Sequence, residues 1–279
     1  LLHMNFITKN IQGLKRVPTS PWRKISLGTW RISGDSSVYG MTEINVDPAL
    51  RFLEVLGKKE NVKLTLTHYV ARALALTFRD HPQINSIVRW GKLYRRTNVD
   101  IFLHVAMDAA GEDLSGLVIR NLDQKSLVEV GRELNENVKT LKAHGDPSFN
   151  KIKNTIRFVP SFILRHALDM VGFILYSLNL WSPALNVAKD PFGSAMVTNI
   201  GSLGADFAFT PIPYYSRVPF IMSIGAVKDS PWVNPETKNL EVAKLCKLGV
   251  TFDHRVIDGV HAANMSKSFK RYMEHPELL

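Results

Sequence analysis

The amino-acid sequence predicts an α/β fold in which helices cover a large mixed β-sheet. Residues 99–107 alternate between two faces, one of them fully apolar, which indicates a strand. From Asp123 onward, apolar residues recur at helical spacing and predict a long amphipathic helix that ends near Gly145. The other predicted strands and helices do not alternate regularly, which favours a mixed sheet over a doubly wound parallel sheet.

The remaining elements follow from periodicity and from helix-start signals. Residues 39–46 indicate a strand, Asp47-Pro48 opens a helix to about Lys58, and residues 65–80 predict a second helix. Three further strands and a last helix are expected at residues 194–200, 219–227, 245–253 and about 260–273. On the strand at 99–107, His104 belongs to the face opposite the apolar one.

Composition excludes several classes of protein. With 279 residues, of which 45% are apolar and 22% charged, the chain is long enough to fold around a large core. No apolar run reaches the roughly 18–20 residues of a membrane-spanning helix, and no secretory signal is found, so a cytoplasmic location is expected. Cys246 is the only cysteine, which excludes an intrachain disulfide. The histidines show no ligand spacing, so we expect no metal.

The net charge of +10 is concentrated in two segments. Residues 151–189 carry five basic residues against Asp169 alone. Residues 1–34 contain no acidic residue, and we interpret them as a basic N-terminal arm before a larger domain at 35–279. The basic residues of the arm are Lys9, Lys15, Arg16, Arg23, Lys24 and Arg31. Because no nucleic-acid-binding motif accompanies this charge, we expect no nucleic-acid partner; an anionic cofactor or a membrane surface fits it better.

One histidine is distinguished by its place at the end of a predicted strand. The apolar side chains of residues 245–253 alternate, and His254 continues their face in register. An imidazole that enters an apolar environment loses hydration of its charged form, so the neutral form that a general base needs should prevail. Asp258 would fix the next turn by pairing with an arginine. A hydrogen-bonded structural histidine is the competing interpretation.

The segment DHRVIDG (253–259) resembles the active-site segment of the dihydrolipoamide acyltransferases of 2-oxoacid dehydrogenase complexes. Their wider superfamily includes chloramphenicol acetyltransferase and shares the pattern His-x-x-x-Asp-Gly. Four other segments are similar to the same family in the same order. They are VKLTLTHYVARALALTFRDHPQI (62–84), GLVIRNLDQKS (116–126), TNIGSLG (198–204) and the closing PELL (276–279). The likeness covers about residues 36–150 and 190–279.

The resemblance implies a chloramphenicol acetyltransferase-like fold, a homotrimer, and an active site between subunits that coenzyme A or acyl-CoA enters as a substrate. The acceptor would be a dihydrolipoamide-like thiol or another small molecule. By residue matching, His254 would take the proton of the attacking group. Asp258 would orient its loop through an arginine, for which Arg51 and Arg23 are candidates. Thr198 stands where the family has serine, and its hydroxyl would donate to the oxyanion of the tetrahedral intermediate. A larger assembly of trimers stays open.

The chain departs from the family in two places. It has no lipoylation segment, and with Met4 as its start we expect a freestanding catalytic domain with no lipoyl group on this chain. It also contains an apolar insertion at about residues 154–188, which includes FVPSFILRHALDMVGFILYSLNLW (158–181). Helices that cover the sheet or contact another subunit are the simpler interpretation of this insertion. A peripheral membrane contact, or a wall for a long acyl chain, is the alternative.

Three functions stay open from the sequence. The favoured one is acyl transfer between coenzyme A and a thiol, with His254 as general base. A small-molecule O-acetyltransferase of the chloramphenicol acetyltransferase type is the alternative among enzymes. A trimeric scaffold without turnover, which assembles with a membrane or a complex, is the alternative outside catalysis. The hydroxyl at Thr198 argues against the scaffold, as does the presence of Asn199, His254 and Asp258.

Overall fold

The order of the strands decides where the candidate active-site residues lie. The computed structural model describes residues 36–106, 114–144, 161–182 and 188–279. The strands within these ranges are β1 (Ser37–Asn45), β2 (Ser86–Arg89), β3 (Lys92–Arg95), β4 (Ile101–Ala106), β5 (Leu114–Ile119), β6 (Ala195–Asn199), β7 (Phe220–Val233) and β8 (Leu240–Asp253). The α-helices are α1 (Asp47–Glu60), α2 (Leu66–Asp80), α3 (Leu127–His144), α4 (Ser161–Gly172) and α5 (Gly259–Glu274).

Most of the strands belong to one mixed sheet. Its order is β1-β8-β7-β6-β4-β5, and β2 and β3 form a separate hairpin. β6 runs parallel to both of its neighbours, β4 and β7. The pairs β1/β8, β7/β8 and β4/β5 are antiparallel. This combination of parallel and antiparallel strands confirms the predicted fold class.

The main core lies between one face of this sheet and the helices. α2 is buried along most of its length, from Leu66 to Phe78. The helix begins after Thr65, whose backbone amide donates to His68 Nδ1 at 2.9 Å in a reciprocal cap. The Tyr69 hydroxyl donates to the Tyr272 carbonyl oxygen at 2.9 Å and joins α2 to α5. Burying one large apolar side chain contributes about 1.5–3 kcal/mol, so the buried apolar residues of α2 hold this helix firmly on the sheet.

The last two strands extend farther than the sequence pattern predicts. β7 and β8 stay paired as far as Val233 and Leu240, beyond the predicted limits at Val227 and Leu245. Leu240 and Val242 are 74% and 76% exposed in this extension. Apart from Ala243, no residue of the extension is buried, so its apolar side chains do not mark one core-facing side.

Part of the apolar insertion forms helix in this fold. α4 continues into a wider π-helical turn over Phe173–Ser177. Leu175 and Tyr176 in this turn are buried beside Ile87 of β2. The predicted basic arm, and residues 154–160 and 183–187 of the insertion, lie outside the described residues. Of the helices within the described ranges, none is long and apolar enough to cross a membrane.

Candidate active site

The segment 253–259 forms a tight turn between β8 and α5. The carbonyl oxygen of Asp253 accepts hydrogen bonds from the amides of Val256 and Ile257, both at 2.9 Å. These two apolar side chains are buried in the main core. Arg255 Nη2 lies 2.6 Å from the Asp253 carboxylate. Together the contacts fix the turn and leave His254 exposed upon it.

Asp258 closes the turn as the N-cap of α5. Its Oδ1 accepts a hydrogen bond from the His261 amide at 2.8 Å. This bond is the main reason that the pKa of Asp258 lies below its ordinary value. Of the two candidate arginine partners, Arg51 is exposed on α1 and makes no ion pair with Asp258 within one chain, and Arg23 lies outside the described residues. Within the described part of the chain, Asp258 orients its loop by capping a helix.

The environment of His254 differs from the one predicted. Continued strand alternation would place the imidazole half-buried on the apolar face, but the chain turns after Asp253. The apolar face therefore ends at Phe252, which is 7% exposed, while His254 is exposed. The prediction of an apolar setting is wrong for a single chain, because the strand ends one residue before the histidine.

Thr198 lies near the carboxyl end of β6. Its neighbour Val197 is fully buried in the helix-covered core, so the Thr198 side chain points to the opposite face of the sheet. Thr198 is half-buried, and its hydroxyl makes no hydrogen bond with another residue of the described ranges. A hydroxyl that makes no hydrogen bond to the protein can donate one to a developing oxyanion.

The turn after Thr198 is fixed by its own sequence. Asn199 Nδ2 donates a hydrogen bond to Thr67 Oγ1 at 2.9 Å, which ties the end of β6 to the start of α2. Gly201 lies against the backbone of β7, where a Cβ would sit 2.3 Å from the Gly225 carbonyl oxygen. Only glycine allows this close approach, so the TNIGSLG segment holds Thr198 in a defined place.

Thr198 and His254 do not meet within one chain. The register of the sheet places Thr198 beside Ser223, and Ser223 beside Gly249. His254 follows Gly249 by five residues, which corresponds to roughly 17 Å along the strand at about 3.4 Å per residue. Two strand spacings of about 4.8 Å add roughly 10 Å across the sheet. A site that uses both residues therefore needs a second copy of the chain.

A second histidine lies beside Thr198. Leu103 of β4 pairs with Val197 of β6, so His104 and Thr198 are the next positions on these parallel strands. His104 Nδ1 lies 3.4 Å from the Val197 carbonyl oxygen, to which it donates, so Nε2 is left as an acceptor. Burial lowers the pKa of His104 below its ordinary value, which keeps the ring neutral near pH 7. Sequence reasoning placed His104 on this face but missed Thr198 as its neighbour.

The structure offers no metal centre within the described residues. No group of three or more histidine, cysteine, aspartate or glutamate side chains is arranged there to hold a metal ion. Cys246 is buried, and burial raises the pKa of its thiol to about 11, so it packs as a small apolar residue.

Comparison with known families and proteins identifies the same family that the sequence resembles. The family profile for 2-oxoacid dehydrogenases acyltransferase (catalytic domain) matches residues 12–146 and 190–279. The dihydrolipoyllysine-residue acetyltransferase component of the acetoin cleaving system of Bacillus subtilis (strain 168) is 26% identical over 222 residues. That match covers 80% of this chain and 44% of the relative, so the chain spans under half of the relative's length.

Solved structures share the fold. The cubic core of the pyruvate dehydrogenase multienzyme complex matches with a TM-score of 0.64 and 20% identity, over 95% of this chain and 94% of that chain. Chloramphenicol acetyltransferase matches with a TM-score of 0.52 and 12% identity, over 86% of this chain and 89% of that chain. The expected chloramphenicol acetyltransferase-like fold is confirmed.

Proposed function

This chain belongs to the 2-oxoacid dehydrogenase acyltransferase (catalytic domain) family, and on that basis we propose that it transfers acyl groups between coenzyme A and a dihydrolipoamide-like thiol. One observation carries the proposal: the 253–259 turn presents His254 rigidly and open to a substrate. The Asp253 carbonyl fixes one side of the turn and the Asp258 cap fixes the other. A histidine held in this way can take a proton from a thiol that binds next to it.

The proposed reaction uses two groups of the protein. His254 takes the proton of the acceptor thiol while the sulfur attacks the carbonyl carbon of the acyl-CoA thioester. The Thr198 hydroxyl donates to the oxyanion of the tetrahedral intermediate. The intermediate then releases coenzyme A as a thiolate, which receives the proton from His254. A positioned base supplies about 10²–10⁴-fold and one oxyanion donor about 10²–10³-fold.

We propose a homotrimer as the assembly that completes this site. Because Thr198 and His254 lie on distant parts of one chain, each site would take Thr198 from one copy and His254 from the next. Three copies in a ring form three such sites and leave no contact surface unused. The neighbouring sheet face would also shield His254 from solvent, which the single chain does not do. A larger shell of trimers, like the cubic core that shares this fold, is a further proposal.

Release of coenzyme A tests the reaction. The full chain is incubated with acyl-CoA of increasing acyl length, with dihydrolipoamide or small alcohols as acceptors. We expect thiol-dependent release that His254→Ala lowers at least about a hundredfold, because the base is lost. His275→Ala is the matched control, since His275 is an exposed histidine that contacts Glu277 near the C-terminus. An unchanged rate in His254→Ala, with the assembly intact, would refute the assignment of the base.

The same assay separates the other candidate functions. The likeness to chloramphenicol acetyltransferase favours an O-acetyltransferase as the second candidate, and turnover with alcohols alone would select it. No release of coenzyme A with any acceptor, from an intact assembly, would select the scaffold.

A further inference from the structure

Two segments far apart in the chain meet at one surface. The Trp90 ring at the tip of the β2–β3 hairpin packs edge-on against Phe173, with ring centroids 5.7 Å apart. Trp90 Nε1 donates a hydrogen bond to the Ser177 carbonyl oxygen at 2.9 Å, and Arg89 Nη2 donates to the same oxygen at 3.1 Å. These contacts join the hairpin to the described part of the apolar insertion.

Large apolar side chains are exposed along this junction. Six of them are between 41% and 64% exposed: Trp90, Met170, Phe173, Leu178, Leu180 and Trp181. We call these six residues the hairpin–insertion surface. Exposed apolar side chains concentrated in one region mark an interaction site rather than ordinary surface.

The hairpin–insertion surface is the outer side of an anchored segment. On its inner side, Leu175 and Tyr176 are 8% and 6% exposed and lie in one cluster with Ile87. Gly172 approaches the chain at Tyr215 so closely that a Cβ would sit 2.9 Å from the Tyr215 carbonyl oxygen. The segment therefore has a fixed orientation in which Met170, Leu178 and Leu180 stay exposed.

Positive charge accompanies these apolar side chains. Residues 86–98, which include the hairpin, contain four basic residues and no acidic one. Arg96 pairs with Asp190, whereas Lys92 and Arg95 are exposed and form no ion pair with another described residue. Tryptophan and leucine beside lysine and arginine form the combination that binds the interface of an anionic bilayer. The shared positive charge disfavours pairing of this surface with itself in a symmetric dimer.

We propose that the hairpin–insertion surface docks peripherally on an anionic lipid bilayer. Met170, Phe173 and Leu180 would enter the boundary between headgroups and acyl chains, beside Trp90. Lys92 and Arg95 would contact the lipid phosphates. The docking is independent of acyl transfer, because none of these residues belongs to the 253–259 turn or to β6.

Flotation of the full chain with lipid vesicles tests this proposal. Wild type should float with vesicles of phosphatidylcholine and phosphatidylglycerol but not with phosphatidylcholine alone, and salt should weaken the binding by screening. Met170→Ser combined with Leu180→Ser should lower binding to the anionic vesicles at least about tenfold, because two apolar side chains no longer enter the lipid. The matched control is Leu240→Ser with Val242→Ser, which changes two similarly exposed side chains on the β7–β8 extension and should bind like wild type.

Two results would overturn the docking: no binding of wild type to anionic vesicles, or unchanged binding of the Met170→Ser, Leu180→Ser variant. Light scattering without lipid detects a different occupant, since a lower assembly mass in that variant would assign the surface to a contact between copies and also overturn the proposal. Lys92→Glu with Arg95→Glu should remove the preference for phosphatidylglycerol. Circular dichroism verifies that each variant is folded.

Discussion

The separation of Thr198 and His254 predicts that two inactive variants restore activity when they assemble together. Along β8 and across two strands, the residues lie roughly 20 Å apart in one chain, as strand spacings require. Thr198→Ala should lose about 10²–10³-fold in acyl transfer and His254→Ala at least about 10²-fold. Each variant nevertheless keeps the residue that the other lacks.

The recovered rate follows from counting sites. When the two variants are mixed in equal amounts and assembled at random, a site is intact if its Thr198 comes from the His254→Ala chain and its His254 from the Thr198→Ala chain. Each condition is met half of the time, so about one quarter of the sites are intact in a ring of three copies. The mixture should therefore reach about one quarter of the wild-type rate, many times the rate of either variant alone.

Co-expression with two affinity tags provides the material for this measurement. Assemblies that contain both variants are isolated with both tags in turn, and coenzyme A release is measured. Selection removes the rings of a single variant, and every mixed ring of three has one intact site, so the isolated assemblies should reach about one third of the wild-type rate. A mixture of His254→Ala with a variant that carries both Thr198→Ala and His254→Ala has no intact site and serves as the control. Mixed assemblies that stay at the rate of the single variants would refute a site shared between copies.

Three further predictions concern single residues. Burial lowers the pKa of His68 from 6.5 to about 4, so between these values the unfolded chain binds the proton more readily than the folded one. The free energy of unfolding, measured by urea titration, should therefore fall by about 3 kcal/mol as the pH is lowered from 6.5 to 4, and His68→Gln should remove that part of the pH dependence. Gly201→Ala should cost about 1–3 kcal/mol, because its Cβ would sit 2.3 Å from a carbonyl oxygen of β7, while Gly259→Ala, with open space around it, should melt like wild type. If the acceptor binds beside Thr198, His104→Phe should remove one hydrogen bond to it, raise the KM for the acceptor about fivefold and leave the KM for coenzyme A unchanged. An unchanged KM for the acceptor would exclude a contact between His104 and the acceptor.

The elements that the sequence predicts well are those with one buried face. α3, α5 and β4 have clear apolar periodicity because each presents one side to the same core. The β2–β3 hairpin was missed, since its strands have four residues each and β3 is exposed throughout. Its turn uses Trp90 and Gly91 at positive φ, and a tryptophan there is not a typical turn signal.

The geometry of the 253–259 turn is fixed by contacts between residues that are close in sequence. The Asp253 carboxylate pairs with Arg255, and Asp258 caps α5 by accepting a hydrogen bond from the amide of His261, three residues later. Such contacts connect near neighbours in the chain, so a sequence pattern can carry both the chemistry and the local shape. The relation of His254 to Thr198 depends instead on the register of β6, β7 and β8, which no pattern within one sequence specifies. The candidate residues could therefore be named from the sequence. The resemblance already implies a site between subunits, and the sheet adds the physical reason, because its register keeps Thr198 and His254 apart within one chain.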